Sequence, residues 1–421
     1  MSTIGSVRVI EQNEMPGSPT PLRRVGFRRL SGAQAVSSIG DWLATFALMT
    51  LVLDISGSAA AVGGVLALRL APATVAGPLI GFVASRWGRR ALLVRLDLTR
   101  AGVVLLIPLI RSLWWVFPLT VVLEIAAVIA IAARDASIRD LVDEPDLPLA
   151  NGIVLGATYG AIPLGAGAFT LVTTVFEGAS GVLGGPHAAF WLDAVTFVVS
   201  ASLIRRISEI PARPEPTLTA GGRVRLSAAF RIPLVGSTLP PIVAASLGIG
   251  TLFSLGVGFV RDTLGASDAQ FGTLVVLFGV GAAAGLALRQ FGPFGGLAAV
   301  RLGVGAMGGV MAVMAFASGL GTTFLMAVAF GLGGAFAIVS GLTVLQSELA
   351  SERQLLALGA FHVTVRVALA VGALAAGGAV DIFGDRPVLG LEPIRLVLVV
   401  AGALTAASAV RVSRESGHPG R

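Results

Sequence analysis

Four ionisable side chains fall in the middle of long apolar stretches: Asp41, Arg69, Glu124 and Asp193. A charged group near the centre of a bilayer costs on the order of 2.5–3.5 kcal/mol on insertion scales, so such residues face a protein interior or a watery cavity. A carboxyl group placed there can bind and release a proton, and an arginine can neutralise it by pairing. We therefore expect proton binding or ion pairing from these four residues.

Asp41 is the strongest candidate because polar residues surround it at helical spacing. Gln34, Ser38, Asp41 and Thr45 recur every three or four residues, so they share one face of a helix. Such a stripe can line a cavity in which Asp41 binds a proton or an ion, and we predict that role. The alternative is a carboxylate that only pairs with a neighbouring arginine, with Arg69 on the next apolar stretch as its partner.

Glu124 lies in the apolar sequence LTVVLEIAAVIAI, with Thr120 one helical turn before it. Desolvation in such surroundings favours the neutral form of a carboxylic acid, which suits a group that takes up and releases a proton. The alternative is a structural hydrogen bond between helices. For Asp193, which shares a face with Thr196 and Ser200, we favour a structural role.

His362 and Arg366 are four residues apart on another apolar stretch. A protonated histidine there would repel the arginine, so we expect His362 to be neutral or pH-sensitive. A plain polar contact is favoured over a role in coupling.

Glycine and proline concentrate between residues 150 and 175, at Gly156, Gly160, Pro163 and Gly167 among others. Glycines four residues apart make a flat face for tight helix packing. Pro163 weakens the helix locally because it removes a backbone hydrogen bond. The pattern is typical both of a transport hinge and of a static helix contact, and periodicity does not separate the two.

An arginine-rich turn joins two of the apolar segments. Its glycines allow a tight turn and close helix approach, and its cations favour the cytoplasmic side of a membrane. The alternative is a solvated basic loop with no switching role. The residues of interest are Gly81, Ser85, Arg86, Gly88, Arg89 and Arg90.

Composition places all of these residues in a membrane protein. The 421 residues are 55% apolar and 13% charged, with a mean hydropathy of +0.88, whereas soluble domains carry roughly 25% charged residues. The pI near 11.3 does not indicate nucleic-acid binding, which needs bases clustered on a solvated domain. Cysteine and lysine are absent and histidines are few, so we expect no metal, no cofactor and no enzyme.

The apolar segments number about twelve, each of roughly 20 residues, the length a helix needs to cross a bilayer. We predict an all-α integral membrane protein with two six-helix bundles, over residues 27–205 and 236–411. A linker rich in proline and arginine, 206–235, separates them. Residues 1–26 and 412–421 are expected to be cytoplasmic tails, the first of them disordered.

The distribution of arginine predicts the orientation. Twenty-one of the 30 arginines fall in the tails and in the loops on the same side, and four fall in the opposite loops. This bias places both termini in the cytoplasm. Arg95, Asp97, Arg100 and Arg301 follow cytoplasmic loops closely, so we expect their side chains to reach back to the membrane surface.

Residues 81–90 resemble the loop signature between helices 2 and 3 of major facilitator superfamily transporters, with Ser85 where that signature has aspartate. Further segments resemble bacterial efflux carriers of the drug:proton antiporter-3 group, which includes macrolide, multidrug and enterobactin exporters. The resemblance is dense over residues 27–205 and thin over 236–411. The segments that carry this second resemblance are residues 27–30, 40–43, 68–72, 97–101, 133–136, 140–142, 150–152 and 190–197.

The resemblance implies a monomeric transporter in a bacterial plasma membrane that exports amphipathic small molecules by alternating access, driven by protons. It also implies a charge network that closes the cytoplasmic side and includes the aspartate that Ser85 replaces. We hypothesise that Asp97 forms a substitute network with Arg86, Arg100 and Arg134. The alternatives are a carrier of lipids, lysophospholipids or siderophores, and a transporter-like sensor or scaffold that moves nothing.

Overall fold

The computed structural model describes residues 21–70, 86–178, 184–211, 226–292, 295–384 and 386–411. Helices dominate these ranges. They are α1 Val25–Ser56, α2 Ala59–Leu70, α3 Arg89–Leu106, α4 Leu113–Ile138, α5a Leu147–Tyr159, α5b Ala161–Val175, α6 His187–Arg205, α7 Pro233–Gly258, α8 Asp268–Phe291, α9 Gly296–Met314, α10 Leu320–Glu348, α11 Ser351–Phe383 and α12 Pro393–Arg411.

Ten of the described helices are long and apolar enough to cross a membrane, counting α5a and α5b together. The other two are α2, which the structure describes as far as Leu70, and α3, which carries several charges. The predicted all-α membrane fold with twelve helices is confirmed.

The division of the fifth helix has a cause in the sequence. An α-helix needs the N–H of residue 163 to bond the carbonyl of residue 159, and Pro163 has no N–H. The first half of the helix accordingly ends at Tyr159, and Gly160 joins it to the second half. The local weakening predicted from Pro163 therefore appears as a break three residues before it.

Small residues let the helices within each bundle pack closely. In the second bundle, α9 crosses α12 at Gly308 and Gly402. A Cβ added to either glycine would lie 2.7 Å from the carbonyl oxygen of the other, closer than real Cβ atoms approach. In the first bundle, α1 packs against α5b and α6, and α3 packs against α4 and α6.

The start of α1 and the end of α12 lie at one end of the molecule, which we call the terminal face; the other end is the opposite face. The two bundles meet in the half of the molecule toward the opposite face. Helix α2 packs against α11, where a Cβ at Gly63 would collide with the carbonyl of Ala373. Helix α5b packs against α8, where Thr170 Oγ1 donates to the carbonyl of Ala269 at 3.3 Å. Phe46 of α1 and Phe271 of α8 are edge to face, 6.1 Å apart.

Polar contacts close the opposite face further. Asp381, near the end of α11, accepts hydrogen bonds from the Ser58 hydroxyl and from the backbone N–H groups of Ala59 (3.0 Å) and Ala60 (3.3 Å). A carboxylate of the second bundle thus caps the first turn of α2 in the first bundle, where free N–H groups favour an anion. Nearby, Arg261 lies 2.8 Å from Asp54, across the same interface.

Candidate functional site

Asp41 of α1 forms an ion pair with Arg100 of α3, with 2.5 Å between Oδ1 and Nη2. Arg100 is buried, and its guanidinium stacks over the Phe197 ring of α6 at 4.1 Å. The expectation that Arg100 reaches back to the membrane surface was wrong. Eleven residues separate it from the start of α3 at Arg89, about 16 Å at 1.5 Å per residue, or half the thickness of the hydrocarbon core.

Glu124 of α4 pairs with Arg69 of α2, with 3.0 Å between Oε1 and Nη2. Both side chains are largely buried, with 11% and 16% of their surfaces exposed. Arg69, the partner named for Asp41 in the alternative interpretation, therefore pairs with Glu124 instead. Thr120 donates its hydroxyl to the carbonyl of Val116 at 2.9 Å.

Asp193 of α6 completes the charge cluster of the first bundle. It is fully buried and accepts a hydrogen bond of 3.0 Å from Thr196. The charges of Asp41 and Arg100 act on it. Gly40, one residue before Asp41, leaves room for this carboxylate, since a Cβ there would collide with Asp193 and Thr196. The polar face of α6 was the sequence signal for this position, although its link to Asp41 was missed.

Asp97 lies on α3 one turn nearer the terminal face than Arg100. It is fully buried and accepts a 2.6 Å hydrogen bond from Ser200 of α6. The charges of Arg100 and the buried Arg134 act on it. Three members of the hypothesised substitute network therefore lie together, and its role in closing one side stays a prediction.

The basic turn before α3 is bonded to its own bundle. Gly88 is the extended residue that precedes the helix. Arg89 donates to the carbonyl of Ala136 at 2.9 Å and pairs with Asp140 at 3.1 Å, while Arg90 donates to the carbonyl of Ile207 at 3.0 Å. Arg86 is exposed beside the turn, and Gly81 and Ser85 lie outside the described residues.

The rest of the polar stripe on α1 is buried in this conformation. Gln34 donates to Ser38 at 2.7 Å and to Thr158 of α5a at 2.8 Å, and Thr45 donates to the carbonyl of Asp41 at 2.5 Å. Each of Gln34, Ser38 and Thr45 is at most 5% exposed. A cavity-lining role for these three side chains stays a prediction.

The glycines of the fifth helix divide at Gly160. In the described structure nothing lies within 4 Å of a Cβ added to Gly156, so this glycine makes no close helix contact in this conformation, and a hinge role for it stays a prediction. Below the break, Pro163 packs against Gly279 and Gly167 against Val276, both on α8. The packing half of the fifth helix is therefore α5b.

Arg366 is a residue of the second bundle that lies near the ion pairs of the first. It lies near the middle of α11, exposed, with His362 one turn before it and also exposed. Its charge acts on Glu124 in the other bundle as well as on His362. Among the described residues, no group of three metal-ligating side chains is placed to hold an ion.

Residues 30–304 match the family model of the Major Facilitator Superfamily. The chain belongs to this superfamily. A curated relative, the uncharacterized MFS-type transporter YfiS of Bacillus subtilis (strain 168), is 23% identical over 189 residues, which are 42% of this chain and 41% of the relative. The alignment thus spans about two fifths of that relative's length.

Solved structures show the same fold. Nucleoside transporter NupG is 14% identical with a TM-score of 0.72, over 94% of this chain and 100% of its own. A bacterial homolog of the human lysosomal transporter Spinster, in an inward-facing, unoccupied conformation, is 16% identical with a TM-score of 0.72, over 94% and 98% of the two chains. The chain is therefore a multi-pass membrane transporter of this superfamily.

Proposed function

We propose that this transporter exports amphipathic small molecules from the cytoplasm by alternating access, driven by protons that enter through Asp41 and Glu124. Two ion pairs whose side chains are largely shielded from solvent carry the proposal: Asp41–Arg100 at 2.5 Å and Glu124–Arg69 at 3.0 Å. Each joins two different helices of the first bundle at middle depth. The resemblance of residues 27–205 to drug:proton antiporters supports the direction of transport.

Protonation of either carboxylate would change how the helices of the first bundle pack. A protonated carboxyl group no longer neutralises its arginine, and leaving one member of a buried pair unpaired costs about 3–5 kcal/mol. The helices that the pair joins therefore favour a different packing when the proton is bound. One proton crossing 100 mV releases about 2.3 kcal/mol, enough for a roughly 50-fold gradient of a neutral substrate.

The bundle interface supports alternating access. The packing of α2 on α11 and of α5b on α8 lies toward the opposite face, together with the contacts of Asp381 and Arg261. These contacts have to separate before a cavity can open there. If the terminal face is cytoplasmic, as the arginine distribution predicts, this conformation receives substrate from the cytoplasm.

Two further features belong to the proposal. Both bundles that enclose the cavity come from one chain, which favours function as a monomer. The plasma membrane of a bacterium is the proposed location, with both termini in the cytoplasm.

The test uses purified protein in liposomes with an imposed pH gradient. Lumenal pH is followed while lipophilic cations, macrolides, siderophores and lysolipids are added in turn, for the wild type, D41N and E124Q. Proton flux that depends on one of these compounds and is lost in the variants is the expected result. Substrate movement without proton flux would contradict coupling and favour a lipid carrier or facilitator. No movement of any compound would favour the sensor or scaffold.

A further inference from the structure

Arg366 of the second bundle adds a positive charge at middle depth beside the ion pairs of the first bundle. Arg366 is exposed on α11, and its charge reaches Glu124, which is buried in the other bundle. Arg366 also lies seven residues, two helical turns, before Ala373, which contacts α2. It therefore shares the face of α11 that is turned toward the first bundle.

The register of α2 against α11 puts Arg69 at the same depth. The helices run antiparallel, with Ala59 against Gly377 and Gly63 against Ala373. Moving four residues toward the C-terminus of α2 therefore corresponds to moving four residues toward the N-terminus of α11. Continued for two more turns, this register sets Arg366 opposite Leu70, the neighbour of Arg69. One arginine from each bundle thus lies just beyond the closed half of the interface.

Carboxylates at this depth come from the first bundle. Glu124 is paired with Arg69 at 3.0 Å. Among the described residues, no carboxylate lies within ion-pair distance of Arg366. The acidic residues of the described second bundle lie at helix ends or in loops: Asp262, Asp268, Glu348, Glu352, Asp381 and Glu392.

We propose that Arg69 and Arg366 bind an anionic group of the substrate, a carboxylate or a phosphate, between the two bundles. This inference rests on the proposed transport function and names the substrate class within it. A guanidinium presents its N–H groups in a fork that matches two oxygens of either anion. Glu124 competes with the substrate for Arg69, and the apolar remainder of an amphipathic molecule lies against the small side chains of the helices.

Binding to purified full-length protein without a proton gradient tests the substrate class separately from coupling. Four probes share one phenylbutyl group: 4-phenylbutyrate, 4-phenylbutyl phosphate, 4-phenylbutanol and 4-phenylbutylamine. Affinity is measured from the rise in thermal unfolding temperature. We expect either or both anions to bind and the alcohol and amine to bind at least about tenfold more weakly, the effect of one charged hydrogen bond. The stronger anion identifies the group.

Four variants locate the site. R366Q is expected to weaken anion binding about tenfold or more, and R366K to retain part of it because the charge remains. R353Q removes the same charge from an exposed position near the start of α11 and should bind like the wild type. E124Q should bind the anions more tightly than the wild type, because the competing carboxylate is gone; a merely structural role for Glu124 would weaken binding.

Several outcomes would overturn the proposal. They are equal or preferred binding of the amine, no binding of either anion by the wild type, and an R366Q affinity equal to that of R353Q. Proton coupling could still hold in each of these cases, since the liposome experiment measures it independently.

Discussion

Glu124 of α4 lies 3.0 Å from Arg69 of α2, and both side chains are largely buried. A pair of this kind stabilises a protein less than its geometry suggests, because each ion loses its hydration. Removing one partner is a different matter, since it leaves a charge without compensation in the middle of the bundle.

Substitutions of Arg69 and Glu124 should therefore have strongly non-additive effects on the free energy of unfolding. We expect R69Q to lower the free energy of unfolding by about 3–5 kcal/mol, and R69Q/E124Q to recover a substantial part of that loss. Thermal unfolding of the two variants and of E124Q in detergent measures the coupling. A double variant as unstable as the sum of the single variants would contradict the pair.

The contact of Asp381 with the first turn of α2 should hold the opposite face closed. We expect D381N to weaken this cap by about 1 kcal/mol, because an amide has no charge and one acceptor oxygen where both carboxylate oxygens accept now. That is a roughly fivefold increase in the open population. The chain has no cysteine, so A373C gives a single reporter at a buried position of the interface. Its alkylation rate measures the opening.

The control for this change is E392Q, which removes a carboxylate on the same face that pairs with Arg395 in its own bundle. Alkylation of A373C should be unchanged in E392Q. Equal rates in D381N and the parent would show that the cap does not hold the bundles together.

Asp97 should support transport through the two arginines whose charges act on it. We expect D97N to lower the transport rate, because Arg100 and Arg134 then lose a buried counter-charge. S200A, which removes only the 2.6 Å hydrogen bond to Asp97, should have a smaller effect, about 1 kcal/mol in stability. Unchanged transport by D97N would end the hypothesis of a substitute charge network.

The helices could be predicted from the sequence because each is an apolar run of bilayer length, a local property. The break at Gly160 was also foreseeable, since Pro163 cannot donate to the carbonyl of Tyr159. The first bundle's ionisable residues were recognised for a similar reason: an aspartate or glutamate within an apolar run stands out in one sequence.

The choice of partners could not be predicted. Which arginine pairs with Asp41 depends on the rotation of each helix about its axis and on its position along the membrane normal. Small changes in either would place Arg69 instead of Arg100 beside Asp41. The cap by Asp381 joins residues over 300 positions apart, and in the sequence this aspartate resembles an ordinary loop residue. Packing between bundles decides such contacts, and it leaves no local pattern.

In the proposed mechanism Asp41 carries the coupling proton, and D41N separates this role from substrate binding. Liposomes holding a compound that the wild type moves are assayed twice, for exchange at equal pH and for accumulation driven by a pH gradient. Exchange needs no net proton movement, so D41N should retain exchange and lose pH-driven accumulation. Accumulation by D41N at the wild-type rate would contradict the claim.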